Sequence, residues 1–225
     1  LRETAVSRKS RVKAVIFDVG ETLINEERMW LGWAGYIGVS NDTLFKALDT
    51  AIRQRRHHWE ALRSLRPGLD VKASLADRLA KGERMIFDKT DLYPDAIASI
   101  SALRNRGYKV GIVGNQPARS EEALRECGLQ PDFIASSASW GVEKPNPEFF
   151  RRVLQHAHFS ARDIAYVGDR LDNDVLPARA VGMIGVFIER GPWGDVHATW
   201  PEATQADICI KDLGELPAIL DGFSG

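Results

Sequence analysis

Along this chain, short unbroken apolar runs alternate with longer segments whose apolar positions recur every three or four residues. Val15, Ile16 and Phe17 form the first run, bounded by charge, as expected of a strand buried on both faces of a parallel sheet. It ends in Asp18, and Gly20 follows where the backbone must turn sharply. Residues 26–37 then place Met29, Trp30, Trp33 and Ile37 at helical spacing. Asn41-Asp42-Thr43 is a helix start signal. The stripe Leu44, Leu48, Ala51, Ile52, Trp59, Leu62 and Leu65 predicts one helix running from there to Pro67-Gly68. Residues 71–80 and 83–87 read as further helical pieces, and no strand pattern falls between residues 26 and 91.

Regular alternation begins after Tyr93. Helices are predicted over 95–106, 119–126, 147–158, around 173–181 and over 213–220. Strands are predicted over 110–113, 133–135, 164–167, 184–188 and 208–210. Such alternation implies right-handed crossovers. The expected fold class is α/β: a Rossmann-like parallel sheet with helices on both faces and an all-helical insertion. Residues 1–25 and 92–225 form the expected core domain, and residues 26–91 the inserted helical domain.

Composition narrows the partners. Thirty basic against thirty-one acidic residues leave a net charge of −1, which argues against nucleic acid as the main ligand. No apolar run approaches the roughly 20 residues that span a bilayer. Cys127 and Cys209 are far apart and lack metal-ligand spacing. The start, residues 1–11, is basic, but the apolar run after it is short and carries Asp18, unlike a signal peptide. A reduced, cytoplasmic protein with no membrane association is expected. The sequence carries no signal for an oligomeric state.

With the strands placed this way, polar groups gather just past strand carboxyl ends, where open α/β sheets bind ligands. They are Asp18, then Gly114-Asn115-Gln116, Gly168-Asp169, and Lys144 in a loop. An Asp after a strand is often only a turn residue; its company is what gives Asp18 significance. Two carboxylates, an amide and a lysine suit a divalent ion and an anion, and hard oxygen ligands fit Mg²⁺.

The segments FDVGETL, GVEKPNPEFF and YVGDRLDNDV resemble the first, third and fourth motifs of the haloacid dehalogenase superfamily. The resemblance covers nearly the whole chain, with the helical insertion in the place of a mobile cap. It implies that Asp18 is a nucleophile forming an aspartyl-phosphate, with its other oxygen on Mg²⁺. The Gly20 carbonyl and Asp169 would complete the protein ligands. Asp174 would also serve the metal, orienting its waters. Lys144 would keep Asp18 ionised and offset charge on the phosphoryl group. Asp172 and Asn173 are lesser candidates, with Asp172 expected mainly as a helix cap.

Two departures stand out. In most phosphatases of the superfamily the residue two after the nucleophile is a second Asp that acts as general acid and base; here it is Gly20. Gly114 stands where a Ser or Thr donor is usual, leaving backbone N–H groups or the Asn115 and Gln116 amides to bind phosphate. Loss of an acid–base group costs about 10²–10⁴ in rate. The expected activity is therefore slow hydrolysis of small phosphate monoesters, or hydrolysis restricted to good leaving groups. Glu21 is the nearest replacement acid or base, with His57 or His58 as alternatives. Trp140 and Trp193 lie nearer the expected site, as a substrate wall or as packing, whereas Trp30, Trp33 and Trp59 read as packing. Arg53, Arg55 and Arg56 read as a solvated face, with phosphate binding as the sharper alternative. Two rival functions remain: a 2-haloacid dehalogenase-like hydrolase, and a feeble or non-catalytic metal- or phosphate-binding regulatory protein.

Overall fold

The structure, a computed structural model, describes residues 12–223; the basic start lies outside them. Among the described residues six strands form one parallel sheet: β1 (Ala14–Phe17), β2 (Lys109–Gly114), β3 (Phe133–Ser136), β4 (Ile164–Gly168), β5 (Ile184–Ile188) and β6 (Ile208–Ile210). Their spatial order is β3-β2-β1-β4-β5-β6, and every neighbouring pair runs parallel. The chain builds outward from β1 on one side, then returns to lay β4 on its other side. The junction of β1 and β4 is therefore a topological switch point, where a crevice opens at the carboxyl edge.

Alternation along each strand explains the solid apolar runs. Val15 and Phe17 face one cluster with Val110, Ile112, Val167 and Ile188. Helices α5 (Ala96–Asn105), α6 (Ser120–Glu126) and α11 (Leu216–Gly222) cover that face through Ile100, Leu124 and Leu220. Ala14 and Ile16 face the opposite cluster with Ile164 and Tyr166. Helices α8 (Pro147–Ala157) and α9 (Leu176–Ala180) cover it through Phe149, Phe150, Val153 and Ala178. Full burial of each such large side chain contributes about 1.5–3 kcal/mol.

Between Ile24 and Leu92 the chain forms α1 (Glu27–Ile37), α2 (Asn41–Arg53), α3 (Trp59–Leu65) and α4 (Val71–Ala80). Its two connections to the sheet run side by side. Asn25 N–H donates to Asp91 O (2.7 Å), and Tyr93 N–H donates to Leu23 O (2.9 Å). Trp30, Trp33, Leu44, Leu48 and Leu62 form the interior of this segment. The same cluster includes Trp193 and Val196 of α10 (Gly191–His197), so the helical segment is docked on the sheet domain.

The sequence reading needs three corrections here. The helix predicted from Asn41 to Leu65 is two helices, because the chain reverses at Arg55 (φ 57°). Arg55 pairs with Glu202 at 2.8 Å and lies 4.1 Å over the Trp200 ring, a tertiary anchor invisible in the helical stripe. Residues 83–87 form no helix; Arg28 donates instead to the carbonyls of Arg84 and Ile86. The short helices α7 (Ser137–Trp140) and α10 were not predicted.

Candidate active site

Three adjacent strands deliver the polar groups. Asp18 leaves β1 with its N–H bonded to Val167 O at 2.9 Å, which fixes it beside the end of β4. Asp169 leaves β4 itself. Asp174 sits on the π-helical turn Leu171–Val175, a widened turn of the kind common at functional sites. Its Oδ2 accepts the Arg170 N–H at 3.1 Å. Gly168 makes this possible: a Cβ there would lie 2.5 Å from Cβ and Cγ of Asp174. One carboxylate oxygen from each of Asp18, Asp169 and Asp174 lies within 4.8 Å of the others, and all three residues are buried.

Lys144 reaches into this cluster from the loop before α8. Its Nζ donates to Asp18 Oδ1 and to Asp174 Oδ1, each at 2.5 Å, with the lysine side chain 1 % exposed. Asn115 holds the loop in place. Its Oδ1 accepts the Lys144 N–H (2.8 Å) and its Nδ2 donates to the Lys144 carbonyl (2.9 Å). The amide expected to bind phosphate is thus spent on placing the lysine.

The electrostatics follow from crowding. Burial works to push the Lys144 ammonium down, but Asp174 and Asp18 more than offset it and hold its pKa well above the ordinary lysine range. Burial, then Asp174 and Asp18, push Asp169 well up. Burial raises Asp174 to about 6 against the pull of Lys144. Three carboxylates face one lysine in low dielectric, an arrangement that attracts a cation.

Gly114 comes close to Asp18: a Cβ there would lie 2.7 Å from Asp18 Oδ1. Gln116 does not join the cluster; its Oε1 accepts from the Ser120 hydroxyl at 3.3 Å. It lines an adjacent cleft of about 780 Å³ with Asn115, Ser137, Glu143 and Lys144. Trp140, expected as a substrate wall, is a packing residue: it is 8 % exposed and lies against Phe149 and His156, centroids 5.3 and 4.9 Å away. Trp193 packs on Trp30 at 5.9 Å. Asp172 pairs with Arg170 at 3.0 Å, and Arg53 pairs with Asp49 at 2.8 Å on the surface. His58 sits between Trp30 and Trp193, 5.9 Å from each.

Glu21 belongs to the turn rather than to the reacting centre. It holds a positive φ of 51°. Its Oε2 accepts the Tyr93 hydroxyl at 2.5 Å and its Oε1 the Glu26 N–H at 3.2 Å. Burial raises its pKa despite those bonds. Arg190 closes the same corner, donating to Thr22 O at 3.2 Å and pairing with Asp95. Sequence reasoning missed Glu26. Its half-buried carboxyl is pushed up to about 8 by burial, then by Glu21 and Asp18. An acid at a helix start reads as dipole complementarity, so nothing in the spacing singled it out.

Fold and site together set a buried cluster of three aspartates at the carboxyl edge of a parallel sheet, and comparison with known proteins places the chain. A family model described as haloacid dehalogenase-like hydrolase matches residues 12–182, and the chain belongs to this family. It is 30 % identical over 205 residues to a glyceraldehyde 3-phosphate phosphatase of Methanopyrus kandleri, covering 83 % of this chain and 88 % of that one. A phosphoserine phosphatase of Thermus thermophilus is 33 % identical over 128 residues, spanning 57 % of this chain and 52 % of the relative. The fold matches a crystal structure of a HAD phosphatase from Thermococcus onnurineus, with TM-score 0.60, 25 % identity, and coverage of 95 % and 100 %.

Proposed function

We propose that this chain is a Mg²⁺-dependent phosphatase that hydrolyses small phosphate monoesters through a phosphorylated Asp18. The observation carrying this reading is the buried cluster of Asp18, Asp169 and Asp174 with Lys144 bonded into it. Its donor set fits a hard divalent ion, which takes one or two carboxylates and keeps several waters. Asp18 and Asp169 would hold Mg²⁺ with the Gly20 carbonyl, and Asp174 would orient its waters. When bound, the ion supplies charge neutralisation at the phosphoryl oxygens.

The chain's own groups supply the rest. Lys144 keeps Asp18 ionised and stands ready beside the charge that develops as phosphorus changes partners. Asn115 fixes the lysine through its backbone. Asp18 then attacks phosphorus, the ester oxygen leaves, and water later releases phosphate from Asp18. Phosphatase relatives in the family support the same chemistry. The test is phosphate release from a panel of monoesters with Mg²⁺, with Asp18→Asn and EDTA controls. Loss of turnover in both controls is expected; equal rates from Asp18→Asn and wild type would refute the reading, and EDTA-resistant activity on chloroacids would favour dehalogenation.

A further inference from the structure

The resemblance leaves position 20 without the acid–base side chain that phosphatase chemistry normally uses, yet the space beside Gly20 is not empty. A Cβ on Gly20 would lie 2.8 Å from Glu26 Cδ, and closer still to Glu26 Oε1. The Glu26 carboxyl thus occupies the start of the path a side chain from position 20 would follow. It comes from the last residue before α1, on the strand-to-helix connection.

Nothing local accounts for the carboxyl being there. The Glu26 side chain does not cap α1; the Glu27 N–H is served by Asn25 Oδ1 at 2.7 Å. Glu27 already places an acid in the first turn. Among the described residues the Glu26 carboxyl has no hydrogen-bond or ion-pair partner, although it lies within electrostatic reach of Asp18, Lys144 and Arg170. Its neighbour Glu21 is fully engaged by Tyr93 and by the Glu26 N–H. That staple fixes the Glu26 backbone while leaving its side chain unbonded beside Gly20.

We propose that Glu26 is the general acid–base group of this enzyme, delivered from the neighbouring connection instead of from position 20. The proposal rests on the phosphoryl-transfer reading above. In the first step an Asp18 oxygen bonds to phosphorus, the P–O bond to the alcohol breaks, and the leaving oxygen takes the Glu26 proton. In the second, the Glu26 carboxylate takes a proton from water. The water oxygen bonds to phosphorus, the P–O bond to Asp18 breaks, and phosphate departs with Glu26 protonated again. The same arrangement accounts for the crowding at position 20, where a Cβ would meet the Glu26 carboxyl unless that side chain moved.

The test compares leaving groups. With glycerol phosphate, whose alkoxide needs a proton, Glu26→Gln should lower turnover by about 10²–10⁴. With p-nitrophenyl phosphate, whose leaving group does not, a rapid burst of one equivalent of nitrophenol should survive. Slow steady turnover should follow, with phosphate retained on Asp18. A Glu26→Ala/Gly20→Asp double variant has room for the transplanted acid and should recover at least about tenfold over Glu26→Ala alone on glycerol phosphate. Gly20→Asp by itself, with Glu26 in the way, should not raise turnover. An equal effect of Glu26→Gln on both substrates without phosphoenzyme accumulation, or no effect on either, would refute the role of Glu26. Absence of Asp18-dependent turnover in the wild-type protein would instead refute the phosphatase reading itself.

Discussion

The acidic pocket at the strand ends and the tryptophan seam beside it are built by opposite means. In the pocket, backbone geometry aims charged groups at one another, and each is held by a specific bond: Asp18 by Val167 O, Asp174 by the Arg170 N–H, Lys144 by Asn115. In the seam, Trp30, Trp59, His58 and Trp193 meet ring to ring. There the indole N–H groups of Trp30 and Trp33 are buried without a partner among the described residues. Packing area has outweighed polar satisfaction in the seam, while in the pocket stability has been exchanged for crowded charge. The lesson is that substitutions in the two places should fail differently, one in chemistry and the other in folding.

The sharpest separation should come from Asp18→Asn. Turnover should fall by at least about a thousandfold, while the melting temperature should not drop, since one buried carboxylate of three is neutralised and Lys144 keeps Asp174. A rate loss matched by unfolding would place Asp18 with the packing residues. Lys144→Met should damage both properties, because removing one member of a buried pair strands the carboxylates it served, at a cost of about 3–5 kcal/mol. Urea unfolding of this variant beside Asp18→Asn reads out the difference directly. On the seam side, Trp193→Ala should cost about 3–5 kcal/mol of stability. Asp18-dependent chemistry should persist in the fraction still folded, and an unchanged unfolding midpoint would mean the seam carries no load.

Mg²⁺ should raise the melting temperature of the wild-type protein through the pocket alone. The stabilisation should be about 2.7 kcal/mol at a hundred times Kd, and Asp169→Ala should lose it; Trp193→Ala should retain it. The smallest effect concerns pH at the edge of the seam. His197 is 1 % exposed, accepts the Leu171 N–H at Nδ1 (3.0 Å) and stacks on Trp200. Burial lowers its pKa from 6.5 to about 4, with Asp172 opposing that shift and Arg170 adding to it. The unfolded chain therefore binds the proton first. Stability is complete above pH 6.5 and declines as pH falls toward 4, by about 2 kcal/mol at pH 5. His197→Gln keeps an acceptor and should flatten that decline in unfolding curves measured at pH 7 and pH 5.

The same contrast explains what could be read from the sequence. The sheet was legible because strands buried on both faces must be solid apolar runs, as Val15–Ile16–Phe17 and residues 184–188 are. Asp18, Lys144 and Asp169 were legible because alternation alone brings strand ends to one edge, and Asp174 only through the motif that YVGDRLDNDV resembles. Asn115 was placed at that edge correctly, but its amide turns to a backbone 29 positions away, which no local pattern encodes. Trp140 was near in sequence to Lys144 yet lies within the face covered by α8. The break at Arg55 depends on Glu202 and Trp200, and the position of Glu26 depends on a staple from Glu21. Each of these misses is a tertiary contact overriding a local signal.

The most direct test of the account is to locate the phosphoryl group during turnover. Acid-quenching the protein while it hydrolyses p-nitrophenyl phosphate, followed by peptide mass spectrometry, should find one phosphoryl group on the peptide carrying Asp18, and none in Asp18→Asn. Phosphate release with no phosphorylated peptide even in Glu26→Gln, or with the label on another residue, would contradict the nucleophile on which the account depends.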